Sequence, residues 1–128
     1  MKITDDKKLK DIQREFRDMF SHLKLEFYQQ KHATGEGSAN SELLNTELTI
    51  SEVRNIHKEG DLNIHGDMTV STLESIFADQ YGLNAQVFRR SGNIWLQTTR
   101  TDGWTLHDQN RKGGASEQHY KEMNEGEE

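Results

Sequence analysis

The run Phe77–Thr99, "FADQYGLNAQVFRRSGNIWLQTT", holds a helix end, a strand, a turn and a second strand. Before and within it, Leu73, Ile76, Phe77 and Tyr81 recur at helical intervals, and Ser71 and Glu74 have the spacing of a capping box. Gly82 stands where a helix can stop in a left-handed turn, a conformation glycine adopts without a Cβ penalty. Ala85 and Val87 then alternate with Gln86 and Phe88, the period of a strand. Ser91-Gly92 or Gly92-Asn93 suits a two-residue hairpin turn, after which Ile94-Trp95-Leu96-Gln97 returns. Whichever pair turns, alternation sends Ala85, Val87, Ile94 and Leu96 towards the helices and Gln86, Phe88, Arg90, Trp95 and Gln97 to the opposite face.

The same junction occurs earlier in the chain. "FRDMFSHLKLEFYQ", Phe16–Gln29, parallels "FADQYGLNAQVFRR", Phe77–Arg90. From Asp5 to Ser21 the residues Leu9, Ile12, Phe16, Met19 and Phe20 trace one helical face, with Thr4 placed to cap it and Asp5 and Asp6 where the helix dipole favours negative charge. Leu23, Leu25 and Phe27 then alternate with Lys24, Glu26 and Tyr28. "LTISEV" and "WTLHDQ" also correspond, with Thr49 and Glu52, or Thr105 and Asp108, spaced to cap a short helical turn. "GDLNIHGD" supplies a second strand for the first half through Leu62 and Ile64.

Together these elements predict an α+β fold made of two helix-strand-strand units. They form a four-stranded, mainly antiparallel sheet with two helices on one face. The expected single domain spans residues 1–112, duplicated as about 1–66 and 67–112. Residues 31–42, "KHATGEGSANSE", read as a mobile loop, and 113–128 as an acidic, flexible tail.

The chain has 128 residues, of which 31% are hydrophobic, so the core is thin and concentrated in few elements. The absence of cysteine excludes disulfides and thiolate metal or redox chemistry. No apolar run approaches the roughly 20 residues that span a bilayer, and Met1 opens a charged segment instead of a leader, so a cytoplasmic protein without a membrane partner is expected. With 16 Lys and Arg against 22 Asp and Glu the net charge is −6, which opposes whole-molecule attraction to nucleic acid.

The sheet face without helices is the candidate working surface. Alternation places Tyr28, His65, Phe88, Arg90, Trp95 and Gln97 there, and aromatics with arginine are the composition of contact cores. A homodimer or a protein partner is the expected occupant. The alternative is single-stranded nucleic acid, with Arg89, Arg90, Trp95, Arg100 and Trp104 stacking bases and neutralising phosphates. A small-ligand or metal-binding domain closed by the glycine-rich loop is a third reading. The six histidines form no His-x-x-x-His or Glu-x-x-His pair, and "GEGSANS" lacks the lysine and preceding strand of a phosphate loop, so no metal, cofactor or catalytic residue is assigned. Asp102-Gly103 reads as a turn that buries Trp104 at the sheet edge, in preference to a ligand clamp of Trp104, His107 and Asn110. The expectation is thus a non-enzymatic binding protein.

Overall fold

The computed structural model describes residues 1–29, 35–39 and 42–125. In order, the elements are β1 (Lys2–Ile3), α1 (Leu9–Met19), β2 (Leu23–Tyr28), α2 (Ile50–Val53), β3 (Gly60–Asp61), α3 (Val70–Tyr81), β4 (Asn84–Ser91), β5 (Ile94–Gln97) and α4 (Leu106–Glu125). The class is α+β. Among the described residues the strands form two antiparallel sheets, β2-β4-β5 and the short pair β1-β3.

This corrects the expected four-stranded sheet with two helices. Leu62 and Ile64 do not extend the main sheet; only Gly60 and Asp61 of that segment are in a strand, and they pair with Lys2 and Ile3. Beside β2, where a fourth strand would lie, a single bridge joins Tyr28 to Leu43. Leu62 and Ile64 still serve the core, the first buried and the second packed against it. Burial alone cannot distinguish a strand in the main sheet from an apolar segment folded over its end.

The central register pairs Leu23 with Arg89, Leu25 with Val87 and Phe27 with Ala85. Leu25, Phe27, Ala85 and Val87 meet Ile12 and Phe16 of α1 and Leu73 and Phe77 of α3 in one core. The helix-strand periodicity is therefore satisfied in both halves. Gln13 and Glu74, which follow Ile12 and Leu73 in the two helices, each bond a strand backbone. Gln13 Nε2 donates to the Leu25 carbonyl (2.7 Å), and Glu74 Oε2 accepts from the Val87 N–H (2.8 Å). Such partners keep edge backbone groups satisfied where no strand lies alongside.

Helix α3 ends as its sequence predicts. Gly82 is left-handed (φ 66°), its N–H bonds Ala78, and Leu83 N–H bonds the Phe77 carbonyl at 2.9 Å. A Cβ there would stand 2.7 Å from Ile56 Cγ1. The helix starts differ from expectation. Thr69, not Ser71, caps α3 by accepting from Thr72 N–H (3.2 Å), and α1 begins at Leu9, with Thr4 bonded instead to Asp6. Thr49 and Glu52 do form the reciprocal capping box of α2, and Thr105 accepts from Asp108 N–H at 3.1 Å.

Helix starts pair across each half. Leu9 N–H bonds the Leu48 carbonyl (3.0 Å) while Ile50 N–H bonds Lys7 (2.8 Å); Val70 N–H bonds Trp104 (3.1 Å) while Leu106 N–H bonds Met68 (2.8 Å). One residue further on, Lys10 to Thr46 and Ser51 to Asp5 correspond to Ser71 to Asp102 and His107 to Gly66. The first N–H groups of a helix have no partner inside it, and here each start uses carbonyls from the turn before the other.

The expected tail from residue 113 is helical as far as Glu125, because α4 continues through Gly113 and Gly114. Those glycines allow close approach: a Cβ on Gly113 would lie 3.0 Å from the His22 carbonyl oxygen and 3.1 Å from Arg89 Cγ. Residues 126–128 lie outside the described residues, as do 31–34, 40 and 41 of the expected loop. No helix of the described residues is long and apolar enough to cross a membrane.

Candidate functional site

The strand alternation of β4 and β5 builds the candidate face. Phe88 pairs with Gln97 and Arg90 with Trp95, while Lys24 of β2 lies opposite Phe88. Three cations converge on the indole of Trp95: Arg17 Cζ at 4.7 Å from the ring centroid, Arg90 Cζ at 5.0 Å and Lys24 Nζ at 5.2 Å. Lys24 also lies 5.1 Å from the Phe88 ring. Each such contact contributes about 0.5–1 kcal/mol where solvent reaches it. Their convergence gathers positive charge on a chain whose net charge is −6.

Of the residues expected on this face, Phe88, Arg90, Trp95 and Gln97 are brought together and are partly buried. Tyr28 shares the face but is buried, and burial, with the Glu26 charge, pushes its phenol up to about 12. His65 is elsewhere, exposed in the turn before α3, since the segment expected to carry it into the sheet does not enter it. Arg17 and Lys24 were missed. Lys24 was legible from the alternation of β2; Arg17 was not, because it depends on how α1 turns into β2, where Arg17 Nε donates to the Ser21 carbonyl (3.2 Å).

Part of the glycine-rich segment lies against the same sheet. Ser38 N–H donates to Gln97 Oε1 (3.0 Å), and Gln97 Nε2 returns a bond to the Ser38 carbonyl (2.9 Å). Gly37 permits this approach, since a Cβ there would stand 2.6 Å from Gln97 Oε1. Gly35 N–H is held by Asp102 at 2.8 Å. These contacts narrow the open face to its Arg17–Trp95 end.

The nucleic-acid set is divided by the sheet. Arg90 and Trp95 share the cationic face, whereas Arg89 points to the other side, where it donates to Gln109 Oε1 (2.8 Å) and lies 5.8 Å from the Trp104 ring centroid. Burial lowers the Arg89 pKa. Arg100 is exposed in the turn after β5. Trp104 is not buried as expected; it remains 43% exposed and lines a groove of about 490 Å³ with Asp108, Arg111, Lys112 and Ala115. Ile94 and Leu96 also depart from expectation, being 58% and 42% exposed. They point to the helix side as alternation requires, but β5 extends beyond the core that α1 and α3 build on β2 and β4.

Helix α4 is tied to the sheet by Glu117, which accepts from His22 Nδ1 at 3.0 Å, and by Ser116, whose Oγ accepts from Gly92 N–H at 2.7 Å. The His22 hydrogen bond, aided by the charges of Arg90 and Lys121, holds the Glu117 carboxyl below its ordinary value despite partial desolvation. A depressed carboxyl pKa gives stability that is present above the unfolded value, about 4.3, and is lost as pH falls through the folded one. The Tyr120–Gly92 contact, followed by nuclear Overhauser effects, is therefore expected to weaken below about pH 4. Glu117→Gln is expected to flatten that step. A contact that persists in the wild type through full protonation would remove Glu117 from the docking.

Among the described residues no group of three His, Asp or Glu could hold a metal ion. The chain matches no protein-family model, no curated protein and no solved structure.

Proposed function

We propose that the chain is a non-enzymatic interaction module whose Trp95-centred sheet face receives an acidic segment of a protein partner. The observation that carries this reading is the convergence of Arg17, Lys24 and Arg90 on one indole in an acidic chain. Carboxylates of a partner would meet the cations, while apolar side chains would cover Phe88 and Trp95. Electrostatic contacts of this kind set specificity and association rate more than affinity.

The runner-up reading is single-stranded nucleic acid, which the same tryptophan and cations favour by stacking and phosphate neutralisation. Against it stands the placement of Arg89 and Trp104 on the far side of the sheet. We further propose that the scaffold is a duplicated unit, divided near residues 66 and 67. The paired helix starts support it.

The test uses a Trp104→Phe chain, in which Trp95 is the remaining tryptophan. Its fluorescence is titrated with poly-glutamate and with oligothymidylate at low and high salt. Saturable, salt-sensitive binding of poly-glutamate is expected, weakened about tenfold by Arg17→Gln with Arg90→Gln, a loss of roughly 1.4 kcal/mol. No response to poly-glutamate at low salt sinks the acidic-partner reading. Tighter binding of oligothymidylate transfers the function to nucleic acid.

A further inference from the structure

We infer that the groove between Trp104 and the first turns of α4 is a binding site for a small aromatic anion, a planar ring system carrying a carboxylate or a phosphate. The groove measures about 490 Å³ and is lined by Trp104, Asp108, Arg111, Lys112 and Ala115. That volume lies in the range of small-ligand sites, roughly 300–1,000 Å³. Its helical residues recur at intervals of three and four along one side of α4, while Gln109, Gly113 and Ser116 face the sheet.

The fold does not require an indole at this place. Trp104 gives its carbonyl to Val70 N–H, as Leu48 gives its own to Leu9 N–H in the other pair of helix starts. A backbone carbonyl serves that purpose under any side chain, and leucine stands in the first pair. What differs is the neighbour: α2 ends after four residues, whereas α4 runs for 20 and supplies a wall beside the tryptophan. The indole remains 43% exposed, with Arg89 Cζ 5.8 Å from its centroid, so it keeps ring surface for stacking that packing has not used.

Charge selects the occupant. Among the described residues lining the groove, Arg111 and Lys112 stand against one carboxylate, Asp108, and Arg89 adds a cation beside Trp104, all in a chain of net charge −6. Asp108 is taken by Arg111 at 2.8 Å, and Arg89 donates to Gln109 at 2.8 Å. Lys112 is exposed and has no ion pair among the described residues. A ring lying on Trp104 and Ala115 would bring its anionic group to Lys112. A cationic ring finds the one carboxylate already neutralised.

Nuclear magnetic resonance of the full, isotope-labelled chain tests this. The indole N–H signals of Trp95 and Trp104 report the two sites separately, and Trp95→Phe assigns them. The probes are 2-naphthoate, which carries a carboxylate, and adenosine monophosphate, which carries a phosphate. A saturable shift of the Trp104 signal is expected with at least one of them, with a dissociation constant on the order of 1 mM for ligands of this size. The tighter probe identifies the anionic group. Lys112→Gln is expected to weaken that binding about threefold and to leave uncharged 2-naphthol unaffected. Trp104→Leu, which installs the residue found at position 48, is expected to keep the Tm and to abolish saturation transfer to the probe. No saturable shift at Trp104 up to about 10 mM of either probe overturns the inference, as does binding indifferent to Lys112→Gln. A shift confined to Trp95 places the anion on the cationic sheet face and equally overturns it.

Discussion

Phe16→Ala and Phe77→Ala are each expected to destabilise the fold by about 3–5 kcal/mol. Both rings are fully buried; Phe16 lies 5.4 Å from the Phe20 ring, and Phe77 meets Phe27 edge-on at 6.0 Å. The cost has two parts, lost transfer of the ring from water and the cavity left where rigid β2 and β4 cannot collapse. A small domain has only about 5–15 kcal/mol in total, so either variant should be largely unfolded at modest urea. Urea denaturation read by circular dichroism measures both. Because the two positions correspond in the proposed duplication, similar losses are expected; a near-neutral result at one would mean that the halves do not share one packing scheme.

Arg54→Ala is expected to cost about 3–5 kcal/mol by a different route. The Arg54 side chain is fully buried and bonds Asp5 Oδ1 through Nη2 (2.8 Å) and Nε (3.2 Å), the Lys58 carbonyl (2.8 Å) and the Tyr81 carbonyl (3.0 Å). It therefore joins the first turn, the segment after α2 and the end of α3. Truncation leaves those two carbonyls without this donor and leaves Asp5 its contact with His57 Nδ1, at 3.1 Å. Hydrogen bonding to Arg54 holds the Asp5 carboxyl below its usual range, with a smaller contribution from His57. That depression stabilises the fold above the ordinary carboxylate range and is lost as pH falls through the folded value. Arg54→Ala should thus lower stability at neutral pH and flatten its decline in acid, as measured by urea midpoints between pH 7 and pH 3. A variant as stable as the wild type would show that water replaces all of these contacts.

Much of the fold is legible because local signals and burial agree. Leu73, Phe77 and Tyr81, then Gly82, then Ala85 and Val87 predict helix, stop and strand, and the structure places all three in order. Thr49 with Glu52 and Thr105 with Asp108 are readable caps since each bond spans only three residues. Legibility ends where the partner is distant. Leu62 and Ile64 have strand character in either environment, and only the pairing of β1 with β3 decides which they enter. Residues 113–125 have tail-like composition, yet their glycines, Ser116 and Glu117 become useful once His22 and Gly92 are beside them.

The candidate site divides along the same line. Alternation by itself put Phe88, Arg90, Trp95 and Gln97 on one face and Arg89 with Leu96 on the other, since side-chain direction in a strand follows from backbone geometry alone. Tertiary structure decided what shares that face: Arg17 arrives from α1, Ser38 caps Gln97, Tyr28 is covered and His65 is left in a turn. It also decided that Ile94 and Leu96 remain exposed, because the reach of α1 and α3 across the sheet is set by packing on Phe27 and Val87. Periodicity is local chemistry, whereas coverage depends on segments far apart in the chain.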